Sequence, residues 1–155
     1  MRKIELDKTD RKILNLLQAD ARITNAALAE RIALSPSACL RRVQQLEAAG
    51  VIDGYVTLLD QDAIGRPTNI FVEVTLRSQS EAAQDAFENA VGTCPEIMEC
   101  YLMAGDADYL LRVACEDTRD YERIHRQYLS RFPGVARIRS SFTLRTVRKK
   151  TAMEV

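Results

Sequence analysis

The amino-acid sequence predicts an α+β fold in two domains, because the spacing of its apolar residues changes once along the chain. Before Gly50 the apolar residues recur at the interval of a helix turn, whereas from Thr68 they alternate with a period of two. The residues between these patterns are rich in turn formers. We therefore predict a helical domain over residues 1–59, a linker over 60–67 and a second domain containing a sheet over 68–155.

The composition is that of a globular protein and offers no metal site. Of the 155 residues, 46% are hydrophobic and 28% are charged, which argues against wholesale disorder. No apolar run reaches the roughly 20 residues that cross a bilayer, and Met1–Asp7 lacks the apolar core of a signal peptide. The four cysteines form no C-x-x-C pair and His125 is the only histidine. We therefore expect a cytoplasmic protein with no metal, no cofactor and no membrane partner.

Three helices are predicted in the first domain. Asp7, Thr24 and Ser35 each suit the N-cap position, where a side-chain oxygen accepts a hydrogen bond from a free N–H group. Pro36 fits the first turn of the third helix, and Gly50 fits the left-handed conformation that ends it. Because about three residues separate the second helix from the third, the two form a helix-turn-helix.

The residues after Gly50 predict a small β-hairpin, which would be the wing of a winged helix-turn-helix domain. Asp53 and Gly54 lie between β-favouring residues, and Asp-Gly is a common pair in tight hairpin turns. The alternative is a three-helix module that does not bind DNA. The surface of the third helix is the feature that separates these two hypotheses.

The third helix has a narrow apolar stripe and a polar face with two arginines. Cys39, Val43 and Leu46 form the stripe, with Leu40 beside them. The chain has 22 basic and 22 acidic residues, but from Arg31 to Leu46 there are three arginines and no acid. Such a face suits the major groove of DNA, although a solvated surface is the simpler alternative. The residues that we expect at the DNA are Ser35, Ser37, Ala38, Arg41, Arg42 and Gln45.

The second domain is predicted to fold as strand, helix, strand, strand, helix, strand, the order of a ferredoxin-like α/β sandwich. Its two helices cover one face of the sheet, so the other face needs a different cover. Phe71 and Tyr101 are among the residues expected on that face, which favours a homodimer over a merely polar open face. The first strand is predicted from Thr68, the others over Ile97–Met103, Tyr109–Cys115 and Val135–Val147, and the helices from Ser80 and from Asp117 or Thr118.

Five short motifs occur in order over about 140 residues and together resemble one known family. They are Leu6-Asp7-x-x-Asp10, Leu34-Ser35-Pro36-Ser37, Leu46-Glu47-x-x-Gly50-Val51-Ile52, Gly105-Asp106-x-Asp108-Tyr109-Leu110-Leu111 and Phe132-Pro133-Gly134-Val135. The ordered set resembles the Lrp/AsnC family of bacterial and archaeal transcriptional regulators. The resemblance implies a DNA-binding domain followed by an effector and oligomerisation domain, and dimers that assemble into tetramers, octamers or hexadecamers. Many members of the family respond to an amino acid.

The resemblance also implies where an effector binds, near the turn that corresponds here to residues 104–108 and at an interface between dimers. An α-amino acid presents an ammonium group, which Asp106 or Asp108 can bind, and a carboxylate, which free N–H groups around Gly105 can bind. Asp108 also has a structural interpretation, as a carboxylate that holds the turn by accepting backbone hydrogen bonds. The residues implied at the effector site are Ala104, Gly105, Asp106, Asp108 and Ser141.

The predicted function is sequence-specific regulation of transcription. A dimer would present two recognition helices to double-stranded DNA, so we expect a pseudo-palindromic operator. An architectural, nucleoid-type protein that wraps DNA is the first alternative. An enzyme is the second, because relatives of the family decarboxylate sirohaem, but the sequence offers no evident nucleophile–base pair or metal cluster and we predict no catalytic residues.

Overall fold

A computed structural model describes residues 5–155. Met1–Ile4, which form the start of the stretch compared above with a signal peptide, lie outside the described residues. The chain divides into two compact units, one formed by residues 1–57 with 147–155 and the other by residues 58–146. The sequence places the domain boundary at 59 and assigns residues 147–155 to the second domain, whereas these nine residues cluster with the first unit.

Three helices form the first unit, and they begin where the sequence predicts. The Asp7 carboxylate accepts a hydrogen bond from the Asp10 N–H at 2.7 Å, and the Asp10 carboxylate accepts one from the Asp7 N–H at 3.2 Å. Thr24 caps the second helix by accepting from the Ala27 N–H. The helices are α1 (Lys8–Ala19), α2 (Asn25–Arg31) and α3 (Pro36–Ala48).

The apolar faces of the three helices enclose one core. Gly50 ends α3 with a φ of 69°, the left-handed conformation expected of it. Leu40 differs from the prediction, because its side chain is 46% exposed instead of packing beside the apolar stripe. The buried core residues of the unit are Ile13, Leu14, Leu28, Ala29, Ile32, Cys39 and Leu46.

The predicted β-hairpin is wrong, because residues 51–59 contain no strand. The N–H groups of Val51 and Ile52 both bond to the Leu46 carbonyl, so these residues end α3 instead of starting a strand. A type I′ turn would also need a positive φ at Gly54, which does not have one. α2, α3 and the short turn between them confirm the helix-turn-helix, and residues 53–59 after it are exposed and form neither helix nor strand.

The second unit contains the predicted ferredoxin-like order of elements around a four-stranded antiparallel sheet. The sheet order is β2-β3-β1-β4, and a short 3-10 turn at Leu129–Arg131 precedes the last strand. The second and fourth strands are shorter than predicted, ending at Leu102 and Phe142. The elements are β1 (Thr68–Leu76), α4 (Glu81–Val91), β2 (Ile97–Leu102), β3 (Tyr109–Cys115), α5 (Thr118–Gln127) and β4 (Val135–Phe142).

One face of the sheet packs against the two helices and forms the core of the second unit. Alternate residues of β1 point to this face, as the period of two predicts, and all four are buried. The Phe87 ring from α4 lies 4.5 Å from the Tyr109 ring and 5.8 Å from the Phe132 ring, measured between centroids. The four β1 residues are Ile70, Val72, Val74 and Leu76.

A charged network lies where the predicted linker and α5 meet the sheet. Buried Glu96 accepts a hydrogen bond from Arg123 Nη2 at 2.6 Å and one from the Cys94 thiol at 3.4 Å. Arg123 also binds Asp120 at 2.7 Å, and Arg66 of the linker lies 3.4 Å from Asp120. Burial raises the pKa of Glu96 and of Asp120, but the hydrogen bonds from Arg123 help to outweigh it, so both pKa values lie below the ordinary ones.

Candidate functional site

The exposed face of α3 carries three of the six side chains that the sequence places at DNA. Ser37, Arg41 and Gln45 are four residues apart and share one face of the helix, and all three are exposed. Leu40 and Gln44 are exposed on the same face. The exposure of Leu40 could not be predicted, because an apolar residue next to the apolar stripe gives no local sign of facing solvent. The face therefore combines a cation, amides, a hydroxyl and an apolar group.

Ser35 and Ala38 form the start of this helix. The Ser35 hydroxyl oxygen accepts a hydrogen bond from the Ala38 N–H at 3.2 Å, and it also lies 3.2 Å from the Ser37 hydroxyl oxygen. Ala38 is half-buried. The first turn of α3 contains no acidic residue to repel a phosphate.

Arg42 points toward the start of α1, whereas Arg41 faces solvent. Arg42 Nη1 donates hydrogen bonds to the carboxylates of Asp7 and Asp10, each at 2.8 Å, and so joins α3 to the start of α1. The Asp10 N–H and then Arg42 lower the pKa of Asp7, and the two carboxylates raise the pKa of Arg42. The sequence identified the aspartates only as capping residues, because their partner is more than 30 positions away.

The balanced charge of the whole chain hides a difference between the two units. Residues 1–57 with 147–155 contain 12 basic and 8 acidic residues, a net charge of +4. Residues 58–146 contain 10 basic and 14 acidic residues, a net charge of −4. The unit that holds α3 is therefore net basic, which favours binding to a polyanion such as DNA.

Asp108, at the end of the predicted effector turn, has a structural role. It is only 7% exposed, and its carboxylate accepts hydrogen bonds from the Leu76 N–H and from Gln79 Nε2, each at 2.7 Å. The backbone of Asp108 also bonds to Met103 and Val74. These contacts agree with the structural interpretation of Asp108 given above, in which the carboxylate holds the turn.

The rest of the turn is open to solvent. Ala104, Gly105 and Asp106 are exposed, and the N–H groups of residues 104–107 make no hydrogen bond within the described part of the chain. A Cβ atom added at Gly105 would meet nothing within 4 Å. The packing of this chain therefore does not require a glycine there, and the turn offers free donors next to a carboxylate.

Ser141 does not lie at this turn within one chain. It pairs with Phe71 across β1 and β4, whereas the turn closes on Val74, three residues further along β1. At the usual rise of a strand this is a separation of about 10 Å along the sheet, with β1 between. The structure therefore brings together residues 104–108 but leaves Ser141 apart from them.

The sheet face that is not covered by helices carries apolar and charged groups. Phe71 is 38% and Tyr101 51% exposed, as the alternation of the strands predicts. Arg112 crosses this face, donating to Glu99 and to the Asn69 side-chain oxygen at 2.9 Å each. The edge around β2 exposes further large apolar side chains that the alternation of the strands did not predict, and these are Met98, Leu102 and Met103.

The described residues contain no cluster suited to a metal. Within residues 5–155, no group of three or more histidine, cysteine or acidic side chains is placed to hold an ion. Burial raises the pKa of Cys94, Cys100 and Cys115 to about 11, so these three residues are thiols at neutral pH. No helix in the described range is both long and apolar enough to cross a membrane.

Two family models match the sequence. The model described as the Lrp/AsnC ligand binding domain matches residues 69–153. The model described as winged helix-turn-helix DNA-binding matches residues 6–53. The first match spans the sheet and continues to residue 153, and the second spans the three helices.

Similar proteins of known class are transcriptional regulators. The leucine-responsive regulatory protein of Escherichia coli (strain K12) is 38% identical over 151 residues, which are 97% of this chain and 92% of that protein. An uncharacterized HTH-type transcriptional regulator of Sinorhizobium fredii is 50% identical over 116 residues, which are 75% of this chain and 91% of that one. Both likenesses extend across the two units.

Similar solved structures belong to the same class. A transcriptional regulator of Neisseria meningitidis, in complex with L-Met, is 38% identical with a TM-score of 0.90. An AsnC family transcriptional regulator of Agrobacterium tumefaciens is 34% identical with a TM-score of 0.90. In each case the likeness covers 96% of this chain and 96% of the other.

Proposed function

Because the chain belongs to the Lrp/AsnC family of transcriptional regulators, we propose that it is a cytoplasmic regulator that binds operator DNA through α3 and responds to a small amino acid. The observation that carries this proposal is the exposed face of α3, which has a free arginine and no acid before Glu47 in the last turn, in a unit of net charge +4. The family supplies the class of protein, and the geometry of α3 supplies the residues.

Arg41 is the main candidate for reading DNA. Its guanidinium is exposed and makes no ion pair within the described part of the chain. A free guanidinium can bind the edge of a guanine with two hydrogen bonds or can bind a phosphate. Gln45 and Ser37 offer hydrogen bonds on the same face, and Leu40 offers an apolar contact to the methyl group of a thymine.

Arg42 has an indirect part in this proposal. Its hydrogen bonds to Asp7 and Asp10 fix the angle between α1 and α3. A recognition helix must hold its side chains at the groove without further ordering, because each side chain ordered on binding costs free energy. Arg42 is therefore a positioning residue, and Ser35 and Ala38 keep the start of α3 suited to a nearby phosphate.

A second copy of the chain is the proposed cover of the open sheet face. Phe71 and Tyr101 would be buried by such a copy, and so would the exposed segment at 55–59, where Val56 is 80% exposed. The dimer would present two α3 helices to a pseudo-palindromic operator. Further contacts between dimers, through surfaces such as the exposed edge at Leu102, would build tetramers or octamers and raise the affinity for adjacent sites.

The effector proposal rests on the exposed turn between β2 and β3. The free N–H groups of residues 104–107 would bind the carboxylate of an amino acid, and Asp106 would bind its ammonium group. The regulator of Neisseria meningitidis was solved with L-Met, which supports an amino acid as the class of ligand. Ser141 enters this proposal only as a residue that another copy of the chain contributes.

Binding to a DNA fragment with an operator sequence tests the first half of the proposal. We expect Arg41→Ala to weaken operator binding by about 1–3 kcal/mol, roughly 5- to 150-fold. The matched control is Arg126→Ala, which removes an exposed arginine from α5 in the second unit. Equal binding by the Arg41→Ala protein and the unchanged protein would remove α3 from the interface.

A thermal-shift screen against the common amino acids tests the second half. A ligand that binds only the folded protein raises the free energy of unfolding, by about 2.7 kcal/mol when its concentration is a hundred times its Kd. The Tm therefore rises. We expect one or a few amino acids to give a shift that Asp106→Ala abolishes. A shift that persists in this variant would place the ligand elsewhere.

Architectural wrapping of DNA is the second candidate function, and the net positive charge of the first unit is the observation that favours it. The two functions differ in sequence preference. Footprinting of a regulator leaves a protected consensus, whereas a protein that binds only phosphates protects all sequences alike. No feature of the described residues favours the sirohaem-decarboxylase-like alternative.

A further inference from the structure

Residues 147–155, here called the basic segment, are attached to the DNA-binding unit. The Gln18 side chain on α1 makes two hydrogen bonds with the backbone of Met153, donating to its carbonyl at 3.0 Å and accepting from its N–H at 2.7 Å. Val155 packs against the core of the same unit. These contacts fix one end of the basic segment to α1.

Three consecutive cations lie just before this attachment. Arg148, Lys149 and Lys150 are exposed, and none of them makes an ion pair within the described part of the chain. No acidic residue occurs from Thr143 to Met153. Because an extended chain advances at most about 3.6 Å per residue, Lys150 lies within about 11 Å of the attachment at Met153.

These three cations supply most of the net positive charge of the unit. With them the unit has 12 basic and 8 acidic residues, and without them it would have 9 basic and 8 acidic. The rest of the unit, including Glu154, therefore has a net charge of only +1. Affinity for DNA depends mainly on cations that displace counterions from phosphates, so these three residues are a large part of what the unit offers to a phosphate backbone.

We propose that Arg148, Lys149 and Lys150 form a second DNA contact, which binds phosphates close to the bases that α3 reads. The inference rests on the proposed DNA binding by α3. Phosphates are the chemical partner because these residues are consecutive cations on a segment without helix or strand, which presents charge but no fixed pattern for base edges. DNA is favoured over other polyanions because the segment belongs to the same compact unit as α3.

The salt dependence of DNA binding tests this proposal. The test compares the unchanged chain with a triple variant, Arg148→Ala/Lys149→Ala/Lys150→Ala, on one operator fragment and one unrelated fragment between 50 and 200 mM salt. Each phosphate contact contributes about 0.9 to the slope of log affinity against log salt, so we expect the triple variant to lose about 2–3 from this slope. The loss should be the same for the two fragments, whereas Arg41→Ala should affect the operator more.

Two control variants separate charge from structure. Arg119→Ala/Arg126→Ala/Arg131→Ala removes the same charge from exposed positions of the second unit, and its slope should equal that of the unchanged chain. Gln18→Ala keeps the three cations but removes the attachment to α1. The salt slope should fall less in this variant than in the triple variant, because the three cations remain and Val155 still packs against the same unit.

The outcomes also distinguish this inference from the proposed function. If the unchanged chain binds no DNA, the proposed function fails. If it binds and the triple variant has the same salt slope, only the basic segment is excluded. A triple variant that keeps the DNA slope but loses binding to vesicles of anionic lipid would assign the segment to a membrane surface, which also overturns the proposal. The Tm of the triple variant should be unchanged, because its three side chains have no partners in the described structure.

Discussion

Neighbouring residues of the same type have different roles in this protein because their partners differ. Arg41 and Arg42 are adjacent on α3, yet Arg41 faces solvent and Arg42 binds Asp7 and Asp10. An arginine with two carboxylates at 2.8 Å would have to give up these bonds before it could reach a base. The contribution of each arginine to DNA binding therefore follows from its contacts and not from its position in the sequence.

The two arginines can be separated by measuring stability and binding together. We expect Arg42→Ala to lower the Tm of the first unit, because the hydrogen bonds between α1 and α3 are lost. The same variant should lower the affinity for the operator and for unrelated DNA by similar factors. Arg41→Ala should leave the Tm unchanged and should lower the affinity for the operator more than the affinity for unrelated DNA. Thermal melts followed by helical circular dichroism and a DNA titration provide the two readouts. An unchanged Tm in Arg42→Ala would contradict its positioning role.

Asp106 and Asp108 form a second pair with different roles. Removing the Asp108 carboxylate leaves the buried Leu76 N–H without its acceptor, so we expect Asp108→Ala to destabilise the second unit by about 1–3 kcal/mol. Asp106→Ala, at an exposed position, should leave stability unchanged and reduce only the response to an amino acid. Urea unfolding followed by tyrosine fluorescence measures the first effect. A fully stable Asp108→Ala protein would show that its two hydrogen bonds are dispensable.

At the scale of the elements, periodicity and capping identify helices and strands reliably here, while their ends depend on partners. The sequence places β3 at Tyr109–Cys115 and the structure has the same range. β4 stops at Phe142 although the alternation continues to Val147, because a strand needs a neighbour to bond to and β1 begins at Thr68. The missing hairpin has the same cause, since no second strand pairs with residues 51–59.

The charged network beside α5 predicts a pH dependence of stability. The pKa values of Glu96 and Asp120 are depressed in the folded chain, so both carboxylates stabilise it above their ordinary pKa values of 4.5 and 3.8. This stability is lost as the pH falls through the lower folded values. We expect the free energy of unfolding of the second unit to fall below about pH 4.5.

The variant Glu96→Gln tests the source of this dependence. It removes one of the two carboxylates, so its stability should be lower at neutral pH and should change less between pH 5 and pH 3. Glu81→Gln, at an exposed site at the start of α4, is the matched control and should follow the unchanged chain. Equal pH profiles for Glu96→Gln and the unchanged chain would assign the acid sensitivity to other carboxylates.

In the whole molecule, the two units have net charges of opposite sign, and one face of the sheet exposes apolar side chains. The first unit has a net charge of +4 and the second a net charge of −4. The positive charge is therefore in the unit that contains the helix-turn-helix, where it favours an approach to DNA. The open sheet face exposes Phe71 and Tyr101, and large exposed apolar side chains on one sheet face indicate an interface. The proposed assembly would bury this face between copies.

A charge on the open face should separate the copies. We expect Phe71→Asp to shift the mass measured by light scattering toward a single chain and to weaken operator binding, because paired recognition helices would be lost. Leu144→Asp is the matched control, since Leu144 is fully exposed and lies outside β4. An oligomer that survives in Phe71→Asp would show that copies meet elsewhere.

The sequence by itself determined the features that depend on neighbours a few residues away. These features are the three caps, the turn between α2 and α3, the left-handed Gly50 and the alternation of β1. They can be predicted because a helix or a strand buries one face, so its apolar residues recur with a period of 3.6 or 2 residues. The same local patterns predicted two domains, an open sheet face and a DNA-reading helix. Even the family could be identified from short motifs in order.

Only the tertiary structure decided which side chains are available. Arg42 finds its aspartates 32 and 35 positions away, and Asp108 finds the Leu76 N–H 32 positions away. Gln18 holds Met153 across 135 positions and so brings three cations to the unit that holds α3. Such pairs leave no periodic trace in the sequence, since any arginine or aspartate could supply them, and they exist only once the chain has packed.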